Sequence, residues 1–250
     1  VALLALKLTV TPVVIAAATL VARRFGPAVA GWLIGLPVTG GPVVLLLALA
    51  HGPRFAAGVA GGFVVGVAAE VAFALGYVAV ARRGWRVSLA VGSAAFAAAG
   101  LALVAAHVGF AVLVAVALGA LAVGLLLLPA GEPPPAVPPG RYDLPLRIAL
   151  ATGLVVAVTG LAATLGAALS GLVTTYPLLS TLLACFAHRR DGPGAAVAVY
   201  RGLLVGLFAL TGFACTLAVV LTRLPLAAAF ALALATTLAI QTGSLRAVRA

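Results

Sequence analysis

Residues 30–50 read AGWLIGLPVTGGPVVLLLALA, and residues 168–188 read ALSGLVTTYPLLSTLLACFAH. Apart from the closing His188, neither stretch holds a charged or titratable group other than Tyr176 and Cys185. Each is long enough to cross a hydrocarbon layer of ~30 Å as a helix rising ~1.5 Å per residue. Each also carries a proline near its middle, Pro37 and Pro177. Proline lacks the amide donor and its ring clashes with the preceding turn, so both helices are predicted to kink or break there.

The rest of the chain is of the same kind. Of 250 residues 65% are hydrophobic and 8% charged, where a soluble domain carries about 25% charged residues to face water. Lipid is the expected solvent. The net charge of +11 does not point to nucleic acid, because the basic residues stand at the ends of apolar runs and form no single patch. The apolar runs predict nine membrane helices, at roughly 3–22, 28–50, 55–81, 87–106, 108–128, 146–165, 168–187, 195–221 and 225–243. The first run reads as a membrane helix and not a cleavable leader, since Arg23 and Arg24 follow it. Residues 87–128 are too long for one crossing and suit two, with Ala106–Gly109 as the turn. The prolines of PAGEPPPAVPPG, residues 129–140, exclude a helix and predict an extended linker outside the bilayer.

With nine crossings one side receives Arg23, Arg24, Arg82, Arg83, Arg86, Arg141, Arg147, Arg189, Arg190, Arg246 and Arg249, and the other Lys7, Arg54 and Arg223. The side rich in Arg is expected to be cytoplasmic, which puts the N-terminus outside and the C-terminus inside a bacterial inner membrane.

A shift of 140 residues aligns the chain with itself without a gap. Gly26 meets Gly166, Gly31 meets Gly171, Pro37 meets Pro177, Gly52-Pro53 meets Gly192-Pro193, Gly62 and Gly66 meet Gly202 and Gly206, Phe73 meets Phe213, and Arg83 meets Arg223. Five helices, an odd number, separate each segment from its copy, so the expected fold is an all-α polytopic protein of two inverted repeats. Residues 1–128 form a five-helix first repeat, 129–145 the cytoplasmic linker and 146–250 a four-helix second repeat. Repeat length and order resemble inverted-repeat secondary transporters such as the drug/metabolite transporter superfamily, whose halves have five helices each; a tenth helix is missing here. The pattern Gly31…Pro37 also resembles small bacterial inner-membrane proteins of the GlpM type. The first resemblance implies transport, and neither implies a substrate.

Interrupted helices at matching places in two repeats are where such proteins build binding sites. The candidate substrate-binding residues are Pro37, Thr39, Gly40 and Gly41 at the first interruption. At the second they are Thr174, Thr175, Tyr176, Pro177, Ser180 and Thr181, joined by Arg201 from the repeat partner of the third helix. That third helix carries Gly58, Gly62 and Gly66, with Glu70 continuing the row inward. Glu70 is the only acid in the hydrophobic region, because Glu132, Asp143 and Asp191 fall in predicted loops. An ionised carboxylate in lipid is costly, so Glu70 is expected to be protonated or paired, with Arg201 as the candidate partner, and to carry a coupling proton.

No HExxH or Cys–His cluster suggests a metal, and neither a cofactor nor an enzyme activity is expected. His51, His107 and His188 read as helix-end residues, Cys185 and Cys215 as packing residues, and Gln241 as a polar group facing a cavity. The expected function is a secondary transporter of a small solute, an anion or zwitterion if Arg201 contacts it, working by alternating access. The alternatives are a lipid flippase or channel and a non-transporting membrane scaffold. The bilayer and the solute are the expected partners; oligomeric state is left open.

Overall fold

The computed structural model describes residues 2–38, 40–129, 143–164 and 176–249, and the regular structure among them is helical throughout. In chain order the helices are α1 (Ala2–Phe25), α2 (Pro27–Ile34), α3 (Gly40–His51), α4 (Pro53–Ala79), α5 (Trp85–Ala105), α6 (Phe110–Leu127), α7 (Asp143–Thr164), α8 (Leu178–Asp191), α9 (Pro193–Val220) and α10 (Leu226–Arg249), with a 3-10 turn at Ala81–Arg83. Six of them, α1, α4, α5, α6, α9 and α10, are long and apolar enough to cross a membrane, and α3 and part of α7 are shorter apolar helices. This is a multi-pass membrane protein, with Val13, Leu49, Leu126 and Leu238 among the large apolar side chains exposed on its outside.

The predicted second helix is two helices. α2 stops at Ile34, ahead of Pro37, and α3 starts at Gly40. The Leu36 amide turns back to Leu33 at 3.2 Å, which leaves the Trp32 carbonyl without its helical partner. Gln241 of α10 supplies the missing donor, its Nε2 reaching that carbonyl at 3.1 Å, while Trp32 Nε1 donates to Ser244 at 3.0 Å. In lipid a freed carbonyl must be satisfied by protein, so Gln241 closes the break and does not simply face a cavity.

Residues 87–128 form two helices as expected, turning at Ala106–Gly109 with His107 at φ 47°. The helix expected from residue 146 begins earlier. Asp143 already starts α7, inside the stretch assigned to the linker; the remainder of that linker, from residue 130 to 142, lies outside the described residues. Arg147, counted as a loop charge, is buried in α7 and stacks on the Phe186 ring at 4.6 Å.

Single glycines join α3 to α4 and α8 to α9. Gly52 has φ 86° and ψ 166°, and Gly192 has φ 89° and ψ 178°. That region is essentially closed to side chains, and the proline that follows each glycine starts the next helix with its φ already set.

α4 and α9, the two longest central helices, belong to both main clusters of the core. One cluster gathers Val67, Val71, Phe73 and Tyr77 of α4 with Tyr200, Leu203, Leu204 and Leu207 of α9. The other joins Val44 and Ala48 of α3 to Phe213 and Leu217 of α9 and to Ala229 and Ala233 of α10. The closest approach is between α2 and α9. A Cβ on Gly31 would strike the Val199 carbonyl, one on Gly202 the Ala28 carbonyl, and one on Gly206 the Trp32 carbonyl. Small residues spaced four apart on each helix let the two backbones touch, the packing that membrane helices use in place of a hydrophobic drive.

The expected row Gly58, Gly62, Gly66 and Glu70 is not one buried face. Gly58 and Gly62 are exposed, with nothing within 4 Å of an added Cβ, while Gly66 is buried. At 3.6 residues per turn each step of four drifts about 40°, so three steps carry the row from the surface into the bundle.

Two stability outcomes follow from this packing. Gly202→Ala forces two backbones apart and is expected to cost about 1–3 kcal/mol, whereas Gly58→Ala leaves the melting temperature in detergent unchanged. Gln241→Leu strands the Trp32 carbonyl and is expected to cost about 1–3 kcal/mol in the same melting assay.

Candidate functional site

Glu70 lies two-thirds of the way along α4, half-buried and facing the start of α8. The Ser180 hydroxyl is 2.9 Å from Glu70 Oε1 and 3.1 Å from the Pro177 carbonyl. Pro177 precedes the first residue of α8, so through Ser180 the carboxyl meets that helix's first turn, the end whose dipole favours negative charge. A serine hydroxyl has one hydrogen to give. With Glu70 ionised, Ser180 donates to the carboxylate. With Glu70 protonated, the acid can donate to Ser180 Oγ and Ser180 to the Pro177 carbonyl. The Thr181 amide donates to the same carbonyl at 2.9 Å, so the start of α8 stays closed in either state. The site can therefore register a proton as a change in hydrogen-bond direction at the helix start.

Around this pair stands a ring of aromatic side chains. Tyr176 meets Phe73 edge-on with centroids 5.8 Å apart and Phe96 at 5.5 Å, and its hydroxyl is 2.8 Å from that of Ser93 on α5. Farther along α4, Tyr77 is fully buried, its hydroxyl 3.0 Å from His188 Nδ1 and 3.8 Å from Cys185 Sγ. Tyr200 of α9 completes the group, with its ring 5.0 Å from that of Tyr77 and 5.9 Å from that of Phe73. Its hydroxyl is buried and meets no hydrogen-bond partner among the described residues.

The sequence-predicted residues divide between two places. Tyr176, Pro177, Ser180 and Glu70 come together, with Thr181 buried in the same turn of α8. Pro37 and Gly41 instead line an apolar groove of about 310 Å³ with Phe213, Phe230 and Leu234, and Gly40 faces Phe63. None of the side chains lining that groove is polar. Thr39, Thr174 and Thr175 lie outside the described residues. Arg201 does not pair with Glu70, because its Nη1 donates to the Leu128 carbonyl just past the end of α6. That carbonyl belongs to the last turn before Pro129, and helix ends leave such acceptors open to a nearby cation.

Tyr77, Ser93, Cys185, His188 and Tyr200 were not singled out as site residues by the sequence reading. One signal was present. The chain has four tyrosines, and three of them stand inside apolar runs where each hydroxyl needs a partner. Tyr77 is moreover two turns from Glu70 on the same helix face. His51 and His107 are exposed at a helix end and a turn, as expected, but His188 is buried and bonded. No group of His, Cys, Asp and Glu among the described residues could hold a metal ion. Comparison with known proteins finds no matching family model, no matching curated protein and no matching solved structure.

The Tyr176–Ser93 hydrogen bond ties the start of α8 to α5. In a double-mutant cycle of Tyr176→Phe and Ser93→Ala, melting measurements are expected to return a coupling of about 1 kcal/mol.

Proposed function

We propose that this chain is a secondary transporter that moves a small solute by alternating access and couples it to protons through Glu70. The observation that carries the reading is a single half-buried carboxyl within a long apolar helix, hydrogen-bonded to the first turn of a helix that starts just after a proline. A buried ionisable group in a membrane helix is costly to keep, and such groups mark proton and substrate paths. Ser180 supplies a means of coupling, since its hydroxyl can serve either Glu70 or the Pro177 carbonyl.

Nine crossings in two inverted repeats suit the same reading. Three features 140 residues apart support it. α3 follows Pro37 as α8 follows Pro177; Gly52-Pro53 and Gly192-Pro193 share one backbone conformation; and they open helices of 27 and 28 residues, α4 and α9. The neighbours correspond too, since α5 packs along α4 as α10 packs along α9. In this arrangement α2 and α3 make one broken crossing. The excess of Arg on one side supports an outside N-terminus and a cytoplasmic C-terminus in a bacterial inner membrane.

The solute would meet one carboxyl, several hydroxyls and aromatic faces. With Arg201 held at Leu128, that lining favours a hydrogen-bond donor or a cation over the anion or zwitterion that an arginine would attract. A lipid flippase is the second reading. It is favoured by apolar grooves on the surface, the larger of about 510 Å³ between Gly58, Gly61, Gly62, Phe110 and Ala218.

A thermal-shift screen of the purified protein against small cations, zwitterions and anions identifies the ligand to use. Uptake of that ligand into proteoliposomes under an imposed pH gradient is expected in the wild type and lost in Glu70→Gln. Gradient-driven uptake that persists in Glu70→Gln removes proton coupling. Movement of labelled lipid between leaflets without solute uptake favours the flippase.

A further inference from the structure

The start of α4 and the end of α9 lie side by side. Gly58 of α4, Phe110 of α6 and Ala218 of α9 line one groove, and Ala56 and Ala60 share a core cluster with Leu217 and Leu221. The groove holds about 510 Å³, within the ~300–1,000 Å³ of ligand clefts. None of its lining side chains is polar. It opens where glycines leave out side chains. Nothing lies within 4 Å of a Cβ added at Gly58 or Gly62, while the Phe110 ring stands 3.7 Å from one at Gly61 and forms a wall. From Ala57 to Val65 the groove follows α4 for about 12 Å, most of the ~15 Å of half a hydrocarbon layer.

Two cations stand at the outer end of this groove. Arg54 is one turn ahead of Gly58 on the same face of α4. Side chains on a helix lean toward its start, which carries that guanidinium toward the membrane surface. Arg223 follows α9 five residues after Ala218, its amide bonded to the Val220 carbonyl at 2.9 Å. Both are exposed, and among the described residues neither side chain has a hydrogen bond or an ion pair. They stand at the end of the bundle opposite Arg82, Arg83, Arg189 and Arg190, so the usual gathering of arginine on the cytoplasmic side does not account for them. The acids are elsewhere. Glu70 is about 18 Å deeper along α4 than Gly58. Asp191 precedes the start of α9, at its far end, and Asp143 begins α7 one turn before Arg147, which meets Phe186 near that same far end.

We propose that one acyl chain of an anionic phospholipid lies in this groove, with its phosphate held by Arg54 and Arg223. The apolar groove and the unpaired arginines suit the two halves of one such molecule. Exposed glycines four apart would also suit a second copy of the chain. A two-fold axis along the membrane normal, however, sets each residue opposite its own counterpart at equal depth. Arg54 and Arg223 would then face themselves with no acid between them, a repulsion that a lipid phosphate removes. The site is independent of Glu70 and of the transport reading, and a lipid seated there would brace α4, α6 and α9 against one another.

Phe110→Trp places a fluorescent reporter on the wall of the groove, read as the difference from the unsubstituted chain. It is followed in phosphatidylcholine vesicles containing either brominated phosphatidylglycerol or, at the same mole fraction, brominated phosphatidylcholine. Quenching is expected to show a preference of about tenfold or more for phosphatidylglycerol, since each arginine near a membrane surface strengthens binding of an anionic lipid about fivefold. Adding Arg54→Gln is expected to lower the preference about fivefold, and adding Arg223→Gln as well to abolish it. Gly58→Leu with Gly62→Leu fills the groove and is expected to abolish the preference with both arginines in place. An unchanged melting temperature verifies that each variant keeps the fold. Equal quenching by the two lipids overturns the proposal, as does a preference that survives either the arginine pair or the filled groove. An indole shielded from both lipids, in a chain that runs as a dimer, gives the groove to a second copy and overturns it too.

Discussion

The contact on which the rest of the architecture depends is the meeting of bare backbone between α2 and α9. Gly31 and Gly35 on one helix and Gly202 and Gly206 on the other leave no room for a side chain at the crossing. Lipid tails are as apolar as leucine, so helices in a bilayer gain little by hiding apolar surface from one another. They gain by dispersion over close surfaces and by pairing polar atoms, and both are available at this crossing. The short α2 is pressed against α9, and the carbonyl that its early end leaves free faces α10, where Gln241 meets it. Packing and hydrogen bonding thus share one cause, the proline two residues beyond Gly35.

The two prolines lie in different surroundings. At Pro37 the neighbouring side chains are Phe213, Phe230 and Leu234, and the break is closed by Gln241 from outside the helix. At Pro177, just ahead of α8, the neighbours are Glu70, Ser180 and Tyr176, so the start of that helix faces an acid. Positions that correspond across the 140-residue shift make the difference plain: Glu70 answers to Leu210, Tyr77 to Leu217, Ser180 to Gly40 and Tyr200 to Ala60. The polar groups gather at one proline and not at the other. A single carboxyl in a protein interior must be satisfied by local donors, and a symmetric pair would set two buried acids against each other. Concentrating the polar atoms at Pro177 avoids that repulsion and leaves the break at Pro37 free to serve as packing.

Arg201 illustrates how helix ends compete for cations. Sequence depth alone brings it within reach of Glu70, a carboxyl whose pairing would relieve its burial. The carbonyls at the end of α6 lie nearer, unpaired because Pro129 cannot continue the helix, and the guanidinium goes there. Glu70 is then left to the Ser180 hydroxyl at the start of α8, where the positive end of the helix dipole favours an ionised carboxylate without cancelling its charge. An acid held in this way can change its protonation state, which a tight ion pair would resist.

Sequence by itself determined the solvent, the helical content and most helix boundaries, because twenty-residue apolar runs and proline positions act locally through chain length and missing donors. It also determined the interruption at Pro37, the turn at Ala106–Gly109 and the place of Glu70 as the one acid in an apolar helix. Only the tertiary structure decided which polar atoms meet. Tyr77 with His188, Tyr176 with Ser93, Glu70 with Ser180 and Gln241 with Trp32 are separated by 83 to 209 residues. Such pairs depend on how each helix is rotated and how deep it sits. In lipid those two quantities follow from where glycines let backbones touch, a property of two helices together that no single run of sequence contains.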